Sequence, residues 1–313
     1  MFSYFRYIMI VLIPLWAHAT GWINEGPISE TQVNSTDIFI SFDSNTKKMV
    51  ATWTGGNTSP LFYATYNGTS WSATRVISGH PAGQNVFTCF DSNSNKMIAA
   101  WQDNQNQTPY YATYNGSSWS KGEAITTTEL FNSDVFLTFD STSNKIIATW
   151  IDLDTLFPYF ATYNGSVWTS GAPITTTTAE GDDVFTGFDN ISNRLIATWL
   201  DQTTQFPFYA IYNGSSWTSG GAISAATAVN APFISFDSNS RKLVAVWADA
   251  VTFFPSYAIY NGSSWSVASA ISVTSTANNN VFTSFNGISN QMIATWIDNN
   301  TQIPTYAIYN GSS

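Results

Sequence analysis

The chain is 313 residues long, with 10 Lys and Arg against 20 Asp and Glu and a formal net charge of −10. It contains no basic patch, which argues against nucleic acid or an anionic membrane surface as a partner. Only 10% of the residues are charged, and Asn, Ser, Thr and Gly supply most of the polar surface, which suits contact with neutral ligands. Cys89 is the single Cys of the mature chain, so no internal disulfide forms and packing must stabilise the fold.

The first 19 residues are expected to be a signal peptide. Arg6 is the only charge before an apolar stretch at residues 7–16, and Ala17-His18-Ala19 then gives a small-x-small cleavage pattern. The stretch is short for a membrane span, although a retained anchor is the alternative. We therefore expect a secreted or periplasmic protein with one mature domain, residues 20–313, and no membrane span after processing.

The rest of the chain repeats every 48 or 49 residues. Tyr-Asn-Gly occurs six times, and a Trp follows five of the copies. Trp22 lies 49 residues before the first of these Trp residues and supplies the one that the sixth copy lacks. A period of this length is typical of repeat architectures. Because the last repeat is completed by residues at the N-terminus, the two ends of the array can meet and close a ring. The repeats begin at Trp22, Trp71, Trp119, Trp168, Trp217 and Trp265.

Each repeat predicts four short strands, named A to D from the axis outward. In the second repeat, residues 85–90 form strand A, a polar turn follows, and residues 97–101 form strand B. Residues 110–114 form strand C, and Asn115-Gly116 turns the chain into strand D, which starts near Trp119. Asn-Gly is a strong hairpin signal because both residues tolerate positive φ.

Six such units predict an all-β fold, a six-bladed β-propeller with four-stranded blades. The last blade is completed by the N-terminal strand, so residues 22–29 should pair with residues 305–310. The alternative is an open or stacked β-repeat. The two series of Trp residues are expected to fill the wedges between blades, since each large aromatic buries roughly 150–250 Å².

The first candidate ligand site is the Trp-x-Asp sequence at the end of strand B. Residues i and i+2 of a strand share a face, so the ring and the carboxylate could hold one sugar together. The alternative is that each Asp caps the B–C loop through backbone amides. The candidates are Trp101, Trp150, Trp199, Trp247 and Trp296, with Asp103, Asp152, Asp201, Asp249 and Asp298, and the nearby Phe157, Phe206 and Phe254.

The second candidate is the residue that opens strand A, because these residues should surround the axial mouth of the ring. The mouth residues are Asp37, Asn85, Asp134, Asp183 and Asn280, with Ala231 in the fifth repeat. Three Asp could hold Ca²⁺ through oxygen ligands, but no metal or other cofactor is assigned. The A–B turn, as in residues 91–95, resembles a calcium loop only superficially and is interpreted as a polar hairpin.

The sequence contains few of the residues and motifs on which enzymes commonly rely. His80 is the only His of the mature chain, a His/Cys zinc cluster cannot be built, and no G-x-S-x-G motif is present. Whether the protein is an enzyme is left open, and binding is favoured because near-identical repeats suit arrays of similar sites. The three Arg of the mature chain are Arg75, Arg194 and Arg241, and they lie in different repeats.

The repeat resembles those of two propeller groups. The segment FDSNSNKMIA is similar in layout to repeats of TolB-type propellers, and the hairpin YNGSSWSKG resembles that of six-bladed fucose-binding lectins. The resemblance to the lectins implies sugar binding, but their recurring Arg and Glu are missing here, so fucose specificity does not carry over. Sialidases are also six-bladed, but they need three converging Arg, and the three Arg here are not expected to converge because they lie in different repeats.

The sequence as a whole predicts an exported multivalent binding module, lectin-like, with neutral glycans as the favoured ligand. One alternative is a protein–protein interaction scaffold that uses one flat face and a protein partner. Another is a glycoside hydrolase or lyase that uses axial carboxylates such as Asp134 and Asp183.

Overall fold

The computed structural model describes residues 27–29, 38–55, 60–83, 85–131, 133–218, 220–277, 279–286 and 289–309. Within these residues the fold is all-β, and the strands form six antiparallel sheets, the blades of a six-bladed propeller. The predicted fold class is therefore confirmed. The expected signal peptide, Trp22 and Asp37 lie outside the described residues.

Each blade runs through strands A to D in chain order. Blade 1 contains β1 (Ile38–Asp43), β2 (Lys48–Thr54), β3 (Leu61–Tyr66) and β4 (Arg75–Ser78). Blade 2 contains β5 (Phe87–Asp91), β6 (Lys96–Gln102), β7 (Pro109–Tyr114) and β8 (Glu123–Ala124). Blade 3 contains β9 (Phe136–Asp140), β10 (Lys145–Ile151), β11 (Pro158–Tyr163) and β12 (Ala172–Pro173). Blade 4 contains β13 (Ala179–Asp189), β14 (Arg194–Asp201), β15 (Pro207–Tyr212) and β16 (Gly221–Ala222). Blade 5 contains β17 (Phe233–Asp237), β18 (Lys242–Ala248), β19 (Pro255–Tyr260) and β20 (Ser269–Ala270). Blade 6 contains β21 (Phe282–Asn286), β22 (Gln291–Ile297) and β23 (Pro304–Tyr309).

Among the described residues, no helix has the length and apolar character that a membrane crossing requires.

The outer edge of each blade differs in detail from the prediction. Trp119 pairs only singly with Tyr114, and strand D proper is the two-residue β8, four positions later. In the hairpin between Tyr114 and Trp119, only Gly116 has positive φ, at 94°. Asn115 instead accepts hydrogen bonds through its Oδ1 from the backbone amides of Ser117 and Ser118, both at 3.0 Å. The Asn therefore acts through its side chain rather than through a left-handed backbone.

Tryptophans fill the wedges between blades, as predicted. Trp101 of β6 is fully buried and packs against Ile77 of β4 in the preceding blade. Farther out, Trp119 contacts Tyr63 of blade 1, with ring centroids 5.8 Å apart, and Tyr114 of its own blade at 5.1 Å. The same arrangement recurs at Trp168, Trp217 and Trp265. Edge-to-face contacts of this kind add to the burial of apolar area.

Hydrogen bonds also join neighbouring blades. Thr149 of β10 donates its hydroxyl to the backbone carbonyl of Val184 in β13 at 2.7 Å. Thr198 of β14 donates in the same way to the carbonyl of Pro232, also at 2.7 Å. Cys89 packs against the core between blades 2 and 3, and burial raises the pKa of its thiol to about 12. The thiol thus behaves as a small core residue, as predicted.

Ring closure is only partly visible. The sixth sheet has three strands among the described residues. Ile28 packs against Trp53 of β2, just as Ile77 packs against Trp101 one blade further on. This is the place that strand D of the preceding blade takes elsewhere in the ring. Residues 27–29 form no strand pairing in the described structure, and residues 22–26 and 310 lie outside it, so their exchange with residues 305–310 stays a prediction.

Blade 6 also leaves space for a further aromatic side chain. An apolar cavity of about 190 Å³ between blades 5 and 6 is lined by Tyr257 and Tyr309, among others. The equivalent pair one blade earlier, Tyr209 and Tyr260, contacts Trp265 at 5.5 and 5.2 Å. The cavity therefore lies where the repeat places a strand-D Trp.

Candidate functional site

The A–B turns at one end of the blades are closed polar hairpins, as predicted. Asp91 is buried, and its Oδ1 accepts a hydrogen bond from the Asn93 amide at 2.9 Å. Its Oδ2 accepts another from the Ser94 hydroxyl at 2.6 Å. Among the described residues, no three His, Cys, Asp or Glu side chains come together in a way that could hold a metal ion. The carboxylate therefore organises the turn through hydrogen bonds.

The B–C loops lie at the other end of the blades, next to the D–A crossovers. Asp103 forms a β-bridge with Ala82 of the crossover, and Asp152 forms one with Leu130. The same bridge recurs between Ala228 and Asp249 in blade 5. Crossovers and B–C loops therefore share one face of the propeller, and the two candidate sites of the sequence lie on that face.

The tryptophans of the Trp-x-Asp sequences are buried between blades. Their exposed fraction is 0–5% for Trp101, Trp150, Trp199, Trp247 and Trp296. None of their indole Nε1 atoms has a hydrogen-bond partner in the described structure. Because their ring faces are covered by neighbouring side chains, these residues act in this structure as wedge residues between the blades.

The aspartates of the same sequences accept hydrogen bonds from their own loops. Asp152 Oδ1 accepts from the Thr155 amide at 3.0 Å and the Thr155 hydroxyl at 2.6 Å. Asp201 is held by Thr204 in the same way, at 2.8 and 2.7 Å. Matching bonds are present at Asp249 and Asp298. At Asp298, hydrogen bonds from the side chain of Thr274 and the amide of Thr301 lower the pKa of the carboxyl group.

Blade 2 varies this arrangement. Asp103 is fully buried, and its Oδ2 accepts from the amide and the side chain of Asn106, at 3.0 and 2.8 Å. Its Oδ1 lies 3.6 Å from Nδ1 of His80. The His80 ring in turn contacts the ring of Tyr110, with centroids 5.3 Å apart. His80 thus takes part in the same local network as the loop cap.

The three predicted phenylalanines end the B–C loops and are half-buried. The amide of Phe157 donates to the Thr155 hydroxyl at 3.3 Å, and Phe206 and Phe254 bond to Thr204 and Thr252 in the same manner. The residue before each one has positive φ, at 57° for Leu156, 59° for Gln205 and 57° for Phe253. These loops are therefore fixed by their own hydrogen bonds, and a ligand contact there stays a prediction.

A cavity of about 380 Å³ lies on the axis, and residues from all six blades line it. Four of the five predicted mouth residues, Asn85, Asp134, Asp183 and Asn280, are among the lining residues. Asn85 donates to Asp134 through its amide at 3.0 Å and its side chain at 3.1 Å. The side-chain amide of Asn230 donates to Oδ1 of Asn280 at 2.8 Å. The mouth is therefore a hydrogen-bonded polar rim.

Below this rim runs a continuous series of phenylalanines, which the sequence analysis did not identify. Each is two residues after a mouth position, so rim and ring share one side of strand A. Successive ring centroids are 4.9, 5.1, 5.3, 5.0 and 5.3 Å apart. We call this series the axial Phe ladder: Phe39, Phe87, Phe136, Phe185, Phe233 and Phe282. Its recurrence at the repeat period was the signal available in the sequence.

The lining of the cavity is aromatic and polar. Its described lining residues combine aromatic rings, Asn amides and two carboxylates, with no Lys, Arg or His among them. Arg75 lies in the outer strand β4, whereas Arg194 and Arg241 lie at A–B turns. The three arginines therefore do not converge on the axis, as the sequence predicts.

Comparison with known proteins agrees with the fold. No protein-family model matches the chain, and no curated protein matches it. AofleA from Arthrobotrys oligospora has a TM-score of 0.55 at 10% identity, over 89% of this chain and 83% of its own. A leech intramolecular trans-sialidase complexed with 2,7-anhydro-Neu5Ac has a TM-score of 0.58 at 8% identity, over 90% and 69%.

A third similar structure is a polysaccharide lyase, an ulvan lyase bound to a GlcA(1-4)Rha3S unit. Its TM-score is 0.52 at 11% identity, over 83% of this chain and 77% of that chain. At identities this low, the three similarities show the propeller fold alone.

Proposed function

We propose that this chain is an exported, lectin-like carbohydrate-binding module and that the glycan binds in the axial cavity. The observation that carries the proposal is the axial Phe ladder beneath a rim of Asn and Asp side chains. A sugar presents apolar C–H faces and a fringe of hydroxyl groups, and the cavity offers a counterpart to each. Its volume of about 380 Å³ falls in the usual range of small-molecule sites.

Hydrogen bonding at the rim supports a polyhydroxyl ligand. Asn side chains both donate and accept hydrogen bonds, whereas carboxylates accept them through two oxygens. The bonds from Asn85 to Asp134 and from Asn230 to Asn280 hold these groups in place before a ligand arrives. A site organised in advance loses less conformational freedom on binding.

Similar structures support the proposal as analogies. Two of them are described with carbohydrate ligands, 2,7-anhydro-Neu5Ac and a GlcA(1-4)Rha3S unit. In this chain, the B–C loops surround the same face as the cavity, and we propose that they form an outer rim for longer glycans. Such repeated contacts would raise avidity, which is the multivalent element of the proposal.

Export is part of the same proposal. Residues 1–19 are the proposed signal peptide, and residues 20–313 are the proposed mature domain, which would meet glycans outside the cytoplasm. The intact mass of exported protein tests this, because cleavage after Ala19 leaves Thr20 as the first residue.

A glycan array probed with the mature protein tests the binding function. We expect binding to a defined set of glycans, weakened about ten-fold or more by Asn280→Ala or Phe282→Leu, which is about 1.4 kcal/mol. Both are exposed residues of the cavity lining, so the fold should tolerate these changes. Asn239→Ala, in an exposed A–B turn at the opposite end, is the matched control. A folded protein that binds no glycan would refute the proposal.

A further inference from the structure

We infer that the axial cavity selects a glycan that carries a protonated amine, an amino sugar with a free ammonium group. The inference rests on the proposed function and refines it, since the composition of the chain alone favours a neutral ligand. It comes from two properties of the cavity lining, its charge and its aromatic content.

The charge of the lining is negative. Asp134 and Asp183 belong to it, and the described lining residues include no Lys, Arg or His. The chain as a whole carries a formal net charge of −10. A cleft lined by charge of one sign focuses the field of the protein and concentrates ligands of the opposite sign. A ligand that covers the two carboxylates without compensating their charge binds less favourably, and an ammonium group compensates them with charge-assisted hydrogen bonds.

The aromatic content favours the same ligand. Five of the six rings of the axial Phe ladder line the cavity, all except Phe136, and consecutive rings of the ladder have centroids 4.9–5.3 Å apart. A cation within about 6 Å of an aromatic centroid is attracted by the negative face of the ring, and more strongly where water is excluded. An ammonium group on the axis would therefore interact with carboxylates at the rim and with aromatic rings below it.

Acidic sugars meet the opposite situation. A carboxylate or sulfate group in the cavity would face Asp134 and Asp183 with no cationic side chain among the described lining residues. Like charges at close range disfavour binding. The anionic ligands of two similar structures, a sialic acid derivative and a sulfated uronate repeat, are therefore poor guides to the ligand of this chain.

The test compares two oligosaccharides that differ only in their acetyl groups. The probes are a hexamer of β-1,4-linked glucosamine and the matching hexamer of N-acetylglucosamine, titrated into the full mature protein by calorimetry at mildly acidic pH. We expect the glucosamine hexamer to bind about ten-fold more tightly or better. Asp134→Asn and Asp183→Asn each remove one rim charge at constant shape, and each should reduce this preference several-fold.

Glu123→Gln is the matched control, because it removes one negative charge from the exposed strand β8 at the outer edge of blade 2. A preference that falls equally in this control, and vanishes in high salt, would indicate general attraction to an acidic surface and overturn the inference. Equal binding of both hexamers, or tighter binding of the acetylated one, would also overturn it while leaving the proposed function intact. If the glycan array and both hexamers show no binding, the proposed function fails as well.

Discussion

Some residues recur from repeat to repeat because their side chains hold the backbone of a loop in place. Asp152, Asp201, Asp249 and Asp298 all accept hydrogen bonds from an amide and a hydroxyl three residues ahead. Each loop then continues through a residue with positive φ. This backbone conformation costs conformational energy in residues other than Gly. The caps offset this cost by satisfying loop amides that would otherwise be left without partners.

Removal of one cap should therefore lower stability. Asp201→Ala deletes the acceptor for the Thr204 amide and hydroxyl, and by analogy with helix caps it should cost about 0.5–2 kcal/mol of unfolding free energy. Urea denaturation of the variant measures the change. Asp154→Ala, at an exposed position in the equivalent loop of blade 3, is the control and should have little effect. Unchanged stability together with weaker glycan binding in Asp201→Ala would instead assign this Asp to a ligand.

At the scale of blades, the repeat period predicted the architecture and the two tryptophan series, because both depend only on spacing and side-chain size. The sequence could not show which face of a strand is exposed and which is buried. In a propeller both faces of a blade pack against neighbours, so alternation does not identify a solvent side. For this reason Trp101 and Asp103 could be read as a sugar platform, although the structure buries both. The sequence places strand A nearest the axis, but it does not show that the side chain of Phe87 lines an axial cavity.

The seam between blades 6 and 1 supports one element-scale prediction. Ile28 packs on Trp53, and the Thr74 hydroxyl donates to the Ser29 hydroxyl at 3.1 Å, so residues 27–29 belong to the packed structure. Near the seam, Tyr306 and Ile308 of β23 are exposed by 66% and 49%. A strand laid along β23 would cover that edge and complete the blade.

Deletion of residues 20–29 should therefore lower the melting temperature strongly or cause aggregation. Trp22→Ala is a milder variant, because it removes the side chain that we expect to fill the cavity between Tyr257 and Tyr309. Differential scanning calorimetry measures both effects. Val267→Ala, at an 89% exposed position, is the control for truncation of an apolar side chain. A deletion variant that melts at the same temperature as the full chain would contradict strand exchange.

At the scale of the whole molecule, six similar repeats build one axial cavity. The ladder keeps Phe in every blade, whereas the rim varies among Asn, Asp and Ala from blade to blade. A ring of equal units thus gives a uniform aromatic floor and an asymmetric polar mouth. This combination separates two tasks in our proposal: the aromatic rings stabilise the ring of blades through edge-to-face contacts, and the polar mouth selects the glycan.

The repeated tyrosines give the whole molecule a response to alkaline pH. Burial raises the pKa of Tyr114, Tyr163, Tyr212 and Tyr260 above the ordinary value of 10.0. Burial, with a smaller contribution from Glu123, raises the pKa of Tyr111 to about 12. Above pH 10 the unfolded chain loses these protons while the folded protein keeps them. The unfolded state then binds fewer protons, so stability must fall as pH rises.

We therefore expect a melting temperature that falls steeply between pH 10 and about 12, the range set by these tyrosines. Calorimetry across this range measures it, and phenolate absorbance should show late ionisation in the folded protein. Tyr212→Phe loses the bond to the Gly214 carbonyl at every pH, yet it should reduce the alkaline slope by up to about 1.4 kcal/mol per pH unit. Phe42→Leu, which changes an exposed ring without an ionisable group, should leave the slope unchanged. If the Tyr212→Phe slope equals that of the parent protein, Tyr212 does not contribute to it, and the same test passes to the other groups with a raised pKa: Tyr111, Tyr114, Tyr163, Tyr260 and Cys89.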